Sequence, residues 1–343
     1  MSGTTGAEGT KPAIDTGEQK GAARRPVAPL WQKLLLWLVA GICFAWIYYK
    51  VDAGAARQGK DIIPYLAEVF SEVSWIHWLA LMIPYSTFFF LVDSAVVWRV
   101  INWYNAKLRY VDILPIRGSS YILSILNEQV GKGAMGLYLN RRWNVPGWEV
   151  GSSMLFIMFC EFFYLLTWAT IGYAIAGDRL PEMFGVIPYL APAAIVLLIT
   201  VHLFFKGAFL PNTALRDRPV FHAFRQAKAW HYPAIIAIRS PAMIGAVVVY
   251  TLTLRLFGIE ESFGTMLGYL PIIFFGAATP GPMRAVAITL WVLLFPEHEA
   301  AKMTAFAFVQ HNFFIFFNAA IGLLFLRRAN REIFGAESAE QAD

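Results

Sequence analysis

The run from Val186 to Phe205, VIPYLAPAAIVLLITVHLFF, holds twenty residues and no acid, lysine or arginine. A chain carrying such a run has few places to put it. A bilayer crossing takes about 20 mostly apolar residues as a helix, and a helix that is apolar all round must be buried or lipid-facing. The same reading applies to five further windows, Leu30–Tyr49, His77–Val100, Val150–Ile175, Pro233–Phe257 and Ala300–Phe325. Composition agrees: of 343 residues, 58% are hydrophobic and 15% charged, against roughly a quarter charged in soluble domains. The expectation is an all-α polytopic membrane protein with six full spans. Trp31, Trp46, Tyr48, Tyr49, Trp75, Trp78, Trp98 and Trp103 gather near span ends, as interfacial aromatic belts do.

Residues 1–28 are rich in Gly, Ala, Thr and charge and lack an apolar period, so a disordered tail is expected there. Residues 29–330 then form a single transmembrane domain, and 331–343 a second tail. The apolar run Leu34–Tyr49 is long enough to stay as an anchor rather than leave as a signal peptide. Basic residues follow the second span (Lys107, Arg109, Arg117), the fourth (Lys206, Arg216, Arg218, Arg225, Lys228) and the last (Arg327, Arg328, Arg331), and Arg24, Arg25 and Lys33 precede or open the first. The positive-inside rule places these segments, and both termini, in the cytoplasm of a bacterial-type plasma (inner) membrane. The net charge of +5 is therefore topological. No basic run interleaved with aromatics supports nucleic-acid binding. Cys43 and Cys160 sit in apolar windows and read as packing residues rather than a disulfide framework.

Two apolar segments remain, about 119–139 and 265–295, each broken by Gly or Pro into halves too short to cross. Non-helical backbone at membrane depth is tolerated only where protein encloses it, so both are expected as re-entrant helical hairpins. The first enters from the cytoplasm and the second from outside. Span, hairpin and span thus occur twice in opposite senses, an inverted-repeat arrangement found in transporters.

The first hairpin contains LNEQVGKGAMGLYLNRRW. Gly131, Gly133 and Gly136 match G-x-G-x-x-G, but the dinucleotide fingerprint needs a preceding strand in a βαβ unit. Here a glycine turn is expected whose N–H groups face an anion beside a half-helix N-terminus. Lys132, Arg141 and Arg142 add positive charge there, or the two arginines snorkel to the interface. Asn127 and Glu128 lie deeper on the ascending half. In the second hairpin, TPGPMRAVA breaks the backbone at Pro280 and Gly281 just before Arg284.

Glu161 lies near the middle of the third span, where an ionisable group by default faces a partner or a cavity; Lys132 or Arg284 is the expected partner. Asp93, Arg239 and Arg255 fall nearer span ends and read as snorkelling residues or structural pairs. Asn312 and Asn318 are expected to hydrogen-bond between helices, and His202 and His311 to be packed and neutral. The stretch FPEHEA, Phe295–Ala300, reads as a solvated loop and not as a metal site. With no H-E-x-x-H, G-x-S-x-G or Walker loop, neither enzymatic activity nor a cofactor is expected.

From about Tyr110 to Arg328, about two-thirds of the chain, these elements resemble the transmembrane region of lysylphosphatidylglycerol synthases. That region, like its stand-alone relatives, is regarded as moving lipids between leaflets. The family shows an Asn, a Pro/Gly turn and an Arg, and Asn127 with Arg141 or Arg142 is similar. Glu161 resembles the acid of the following span, with Phe162 and Leu165 where the family carries Arg and Asp. The second signature, Pro-Gly-Gly then Arg-Glu, is similar at Pro280, Gly281 and Arg284, with Ala285 at the Glu position. The resemblance implies the membrane half of the activity only: a flippase-like transporter whose partner is an anionic membrane lipid, held at Arg284 and the glycine turn. Two other readings stay open. One is a non-transporting subunit presenting lipid to a lipid-modifying enzyme, such as a synthase or glycosyltransferase. The other is an ion-coupled small-solute transporter. A homo-oligomer is compatible with each.

Overall fold

The protein is described here by a computed structural model covering residues 30–57, 59–126, 128–210, 213–277 and 284–340, with side chains for most of 38–122, 131–275 and 286–331. Among these residues the chain is all-helical, with twelve α-helices and no strand. Five helices are long and apolar enough to cross a membrane: α3 (Trp75–Tyr104), α6 (Gly147–Ala176), α7 (Ile187–Lys206), α9 (His231–Arg255) and α12 (Ala300–Glu340). They coincide with five of the six expected spans and overrun them at several ends. The expected first span falls in α1 (Leu30–Arg57), whose side chains before Ala45 are mostly outside the described set. α2 (Ile62–Glu72) follows it as a short amphipathic helix burying Tyr65 and Val69.

The first broken segment forms α4 (Tyr110–Leu126) and α5 (Glu128–Trp143). The expected turn at Gly131–Gly136 is not one, because all three glycines lie inside α5. A helical glycine costs about 1 kcal/mol relative to alanine. Burial of Met135, Tyr138 and Leu139 on the same helix, packed between α4 and α6, outweighs that cost, since tertiary packing supplies most helical stability. α4 ends at Leu126 and α5 begins at Glu128; Asn127 lies outside the described residues. The second segment forms α10 (Phe263–Ala277) and α11 (Arg284–Leu294), and Pro280 and Gly281 between them are also outside the description.

Residues flanking each helix pair lie close together. Asn105, just past α3, accepts a hydrogen bond at Oδ1 from Ser153 Oγ, in the second turn of α6, at 2.6 Å. At the other end, Glu261 before α10 and His298 after α11 approach to 2.8 Å.

Two apolar cores lie at opposite ends of the long helices. One takes Trp78, Met82 and Tyr85 from α3, Ala246, Tyr250 and Leu254 from α9, and residues of α10, α11 and the start of α12. The other takes Val96, Val100 and Ile101 from α3, Tyr232 and Ile235 from α9, and residues of α4, α5 and the start of α6. α8 (His222–Gln226) closes this second core with Ala223 and Phe224. α3 and α9 thus run antiparallel through both cores, and their middle turns form a layer that belongs to neither.

Close helix crossings fix each pair against the span from the other half. α4 meets α12 where a Cβ on Gly322 would come within 2.8 Å of the Gly118 carbonyl oxygen. α10 meets α6 where a Cβ on Gly172 would come within 2.7 Å of Gly268 Cα. Small residues let membrane helices approach this closely. α7 stands at the periphery, with Tyr189, Ile195 and Val196 from 60 to 76% exposed, a surface only lipid would cover without cost.

Candidate functional site

The layer between the two cores is where the charges are. α3 brings Asp93, α4 brings Arg117, α6 brings Glu161 and α9 brings Arg239, one ionic side chain from each of four helices. Asp93 accepts at Oδ2 from Arg117 Nε at 2.5 Å and from Tyr121 OH at 2.8 Å, and at Oδ1 from Arg239 Nη2 at 2.9 Å. Arg239 Nη1 donates to Glu161. The Arg117 guanidinium also lies 4.6 Å from the Tyr121 ring centre, and that of Arg239 5.9 Å from the Tyr164 ring, within cation–π range. Two guanidinium and two carboxylate groups cancel, so the layer is neutral overall. Such neutrality is needed, because an uncompensated charge at membrane depth costs several kcal/mol by even the lowest scales.

The four members are not equally enclosed. The Asp93 and Arg239 side chains are 5% and 10% exposed, whereas Glu161 is 34% exposed. Arg239 Nε is buried and has no hydrogen-bond partner among the described residues. Asp93, Glu161 and Arg239 form the polar wall of a cavity of about 260 Å³. Tyr85, Phe89, Tyr164, Tyr250, Phe274 and Phe314 supply most of the remaining surface, and His311 on α12 completes it. A polar wall facing aromatic walls suits an amphiphile: the charged end meets Arg239 while apolar parts meet the rings.

The residues expected from sequence are distributed differently. Glu161 lies in the site, and its partner among the described residues is Arg239; the side chains of Lys132 and Arg284, the partners expected from sequence, lie outside the described residues. Asp93 and Arg239 are central rather than near span ends. The reason is helix length: α3 continues eleven residues beyond Asp93 and α9 begins eight residues before Arg239, which at about 1.5 Å per residue sets both more than ~10 Å inside the helices. Arg117, read from the sequence as one of the cytoplasmic charges after the second span, lies within α4 and carries the layer into that helix. Arg141 and Arg142 are exposed in the last turn of α5 and are not on the cavity wall, Arg142 lying 4.6 Å from the Trp143 ring centre. Gly131 is buried and Gly133 exposed, both within α5. Glu128 and Arg284 open α5 and α11 and Lys132 lies within α5; their side chains, like Asn127, Pro280 and Gly281, are outside the described residues.

The loop Phe295–Ala300 is also more than a solvated connection. Tyr65 OH donates to Glu299 at 2.8 Å. Burial, then this hydrogen bond and the carboxylate charge, push the tyrosine hydroxyl up to about 12. His298 meets Glu261 from the α9–α10 loop, and Glu297 brings the three ligand atoms within 4.8 Å of one another. The hydrogen bond already accounts for the approach of His298 to Glu261.

Comparison with protein-family models, with curated proteins and with solved structures returns no match for this chain.

Proposed function

We propose that the protein is a flippase-like membrane transporter that takes the headgroup of an anionic (phospho)lipid into the layer between its two cores while the acyl chains stay in the bilayer. The observation that carries this reading is the ionic cluster on α3, α4, α6 and α9, exposed at Glu161 and Arg239 to an otherwise aromatic cavity. A site of this kind spares a charged headgroup the passage through hydrocarbon. It gives Arg239, rather than the α5 glycines, the first contact with the anion, and leaves Arg284 beside the Pro280–Gly281 break as the second candidate.

The proposed architecture is six spans with both termini in the cytoplasm of the plasma (inner) membrane, and α4–α5 and α10–α11 as re-entrant hairpins in an inverted repeat. The return contacts Asn105–Ser153 and Glu261–His298 support the hairpins. Equal spacing supports the repeat: Gly118 and Gly172 are 54 residues apart, as are Gly268 and Gly322, and each glycine packs on a member of the other pair. Pro146 and Glu149, before or in the first turn of α6, recur as Pro296 and Glu299 before α12 at the same offset of 150 residues. Glu161 and Tyr164 correspond at that offset to His311 and Phe314, and all four line the one cavity. The resemblance to the lysylphosphatidylglycerol synthase membrane region points the same way.

Reconstitution into liposomes with a fluorescent phosphatidylglycerol tests the reading. Leaflet exchange, followed by quenching from the outside, is expected to exceed that of protein-free liposomes and to be lost in Arg239→Gln. If neither phosphatidylglycerol nor a polyprenyl-phosphate lipid exchanges faster with the protein present, transport is rejected and a lipid-presenting subunit takes its place.

A further inference from the structure

The balance of charge in the ionic layer poses a problem for any anionic ligand. Arg239 is already neutralised twice, by Asp93 and by Glu161. An anion added to that set would leave one uncompensated negative charge at membrane depth, which the enclosed surroundings oppose. An anion that replaced one of the two carboxylates would not.

The two carboxylates differ in how firmly they are held. Asp93 is 5% exposed and accepts from Arg117, Tyr121 and Arg239. Glu161 is 34% exposed and, among the described residues, has Arg239 as its one hydrogen-bond donor. Releasing Glu161 into the cavity breaks one charge-assisted interaction, whereas releasing Asp93 breaks three. Arg239 meanwhile holds a donor in reserve: its Nε is buried without a partner, on a residue that is itself 9% exposed and lines the cavity. An unmet donor of that kind is costly to leave. A guanidinium with one exchangeable and one unused donor suits an acceptor with several oxygens, such as a phosphate.

We infer that Glu161 is an internal stand-in for the ligand's anionic group, which Arg239 exchanges for a phosphate oxygen entering the cavity. The inference rests on the reading that an anionic headgroup enters here. On exchange Glu161 swings away from Arg239 into the cavity and takes up one proton from the bulk solvent, forming a carboxyl O–H bond, so the charge of the entering anion is balanced and the layer stays neutral. The groups facing it are Asp93 and Tyr85 from α3, Arg117 and Tyr121 from α4 behind Asp93, Tyr164 from α6 itself, Arg239 and Tyr250 from α9, and His311 from α12. Of these, His311 is the side chain whose ordinary pKa lies near neutrality.

The test is equilibrium binding to the full chain in neutral maltoside micelles, measured by calorimetry. The probes are dihexanoyl phosphatidylglycerol, whose phosphodiester keeps one charge across the neutral range, its zwitterionic phosphatidylcholine counterpart, and inorganic phosphate. Glu161→Gln is expected to bind phosphatidylglycerol about tenfold more tightly than the wild type, the scale of one lost competing interaction. Arg239→Gln is expected to abolish the gain. Phosphatidylglycerol bound more tightly than inorganic phosphate assigns the anion to a lipid, and equal binding assigns it to a free anion; both uphold the exchange. No gain in Glu161→Gln, or an equal gain for phosphatidylcholine, overturns it. Should Glu161→Gln not fold, the wild type decides: calorimetry in buffers of different ionisation enthalpy is expected to show a proton taken up with each phosphatidylglycerol bound, and the uptake to be kept in His311→Gln. No uptake, or an uptake lost with His311, overturns the inference. Tighter binding by Glu161→Gln without leaflet exchange in liposomes would uphold the exchange and reject transport.

Discussion

Asp93 receives Arg117 and Tyr121 from successive turns of α4 and Arg239 from α9, so three helices are tied together through one carboxylate. Its removal leaves the Arg117 guanidinium without a carboxylate and takes one of two from Arg239, and stranding a buried partner costs roughly 3–5 kcal/mol. Glu161 satisfies only Arg239 and is one-third exposed, so water takes over part of its role. Asp93→Ala is therefore expected to lower unfolding stability in micelles by about 3–5 kcal/mol, and Glu161→Ala by less than about half that. Thermal or denaturant unfolding followed by circular dichroism checks the order, and equal losses would contradict the asymmetry. Both acids were visible in the sequence as solitary charges in apolar windows, and so was Arg239. Their depth was not, because hydropathy marks where a span is apolar and not where its helix ends. The pairing of Glu161 with Arg239 joins residues 78 positions apart, a distance no local pattern encodes.

Glycine shows the same limit at the scale of the element. Gly133 lies in α5 with nothing within 4 Å of a Cβ, whereas a Cβ on Gly172 in α6 would strike the α10 backbone at Leu267 and Gly268. Sequence alone does not tell the two apart. In the fold the first is only an entropic cost and the second is the contact that seats α10 on α6. Gly133→Ala is accordingly expected to raise stability by about 0.4–1 kcal/mol, and Gly172→Ala to lower it by about 1–3 kcal/mol, since backbone cannot move aside as a flexible side chain can. Unfolding midpoints of the two variants in the same micelle should shift in opposite directions; shifts of the same sign would remove the packing argument. The long helices were legible because an apolar run of span length has few alternatives. The α5 glycines were misread because turn, crossing and plain helix share one residue type, and only the neighbours distinguish them. α2 and α8 escaped notice because short amphipathic helices borrow their stability from what they cover.

For the whole molecule, charge and geometry bear on the same topological question from different sides. The basic segments after α3 and α7 and toward the end of α12, with the acidic loops at Asp178–Glu182 and Glu260–Glu261, predict an orientation by the positive-inside rule. The contact of His298 with Glu261 bears on what charge cannot supply, namely whether α10 and α11 together leave and re-enter one face. A helix pair that crossed once would put Glu261 and His298 on opposite sides of a hydrocarbon layer about 30 Å thick. Single cysteines at the exposed positions Glu182, Leu215, Glu260, Glu297 and Arg331, in a chain with Cys43 and Cys160 replaced by alanine, test both claims together. In intact spheroplasts an impermeant maleimide is expected to label positions 182, 260 and 297, and positions 215 and 331 only after lysis. A wholly reversed pattern would invert the orientation and keep the hairpin. Labelling of 260 without 297 would mean that α10–α11 spans the membrane, and the proposed inverted repeat, with Glu161 opposite His311, would fall with it.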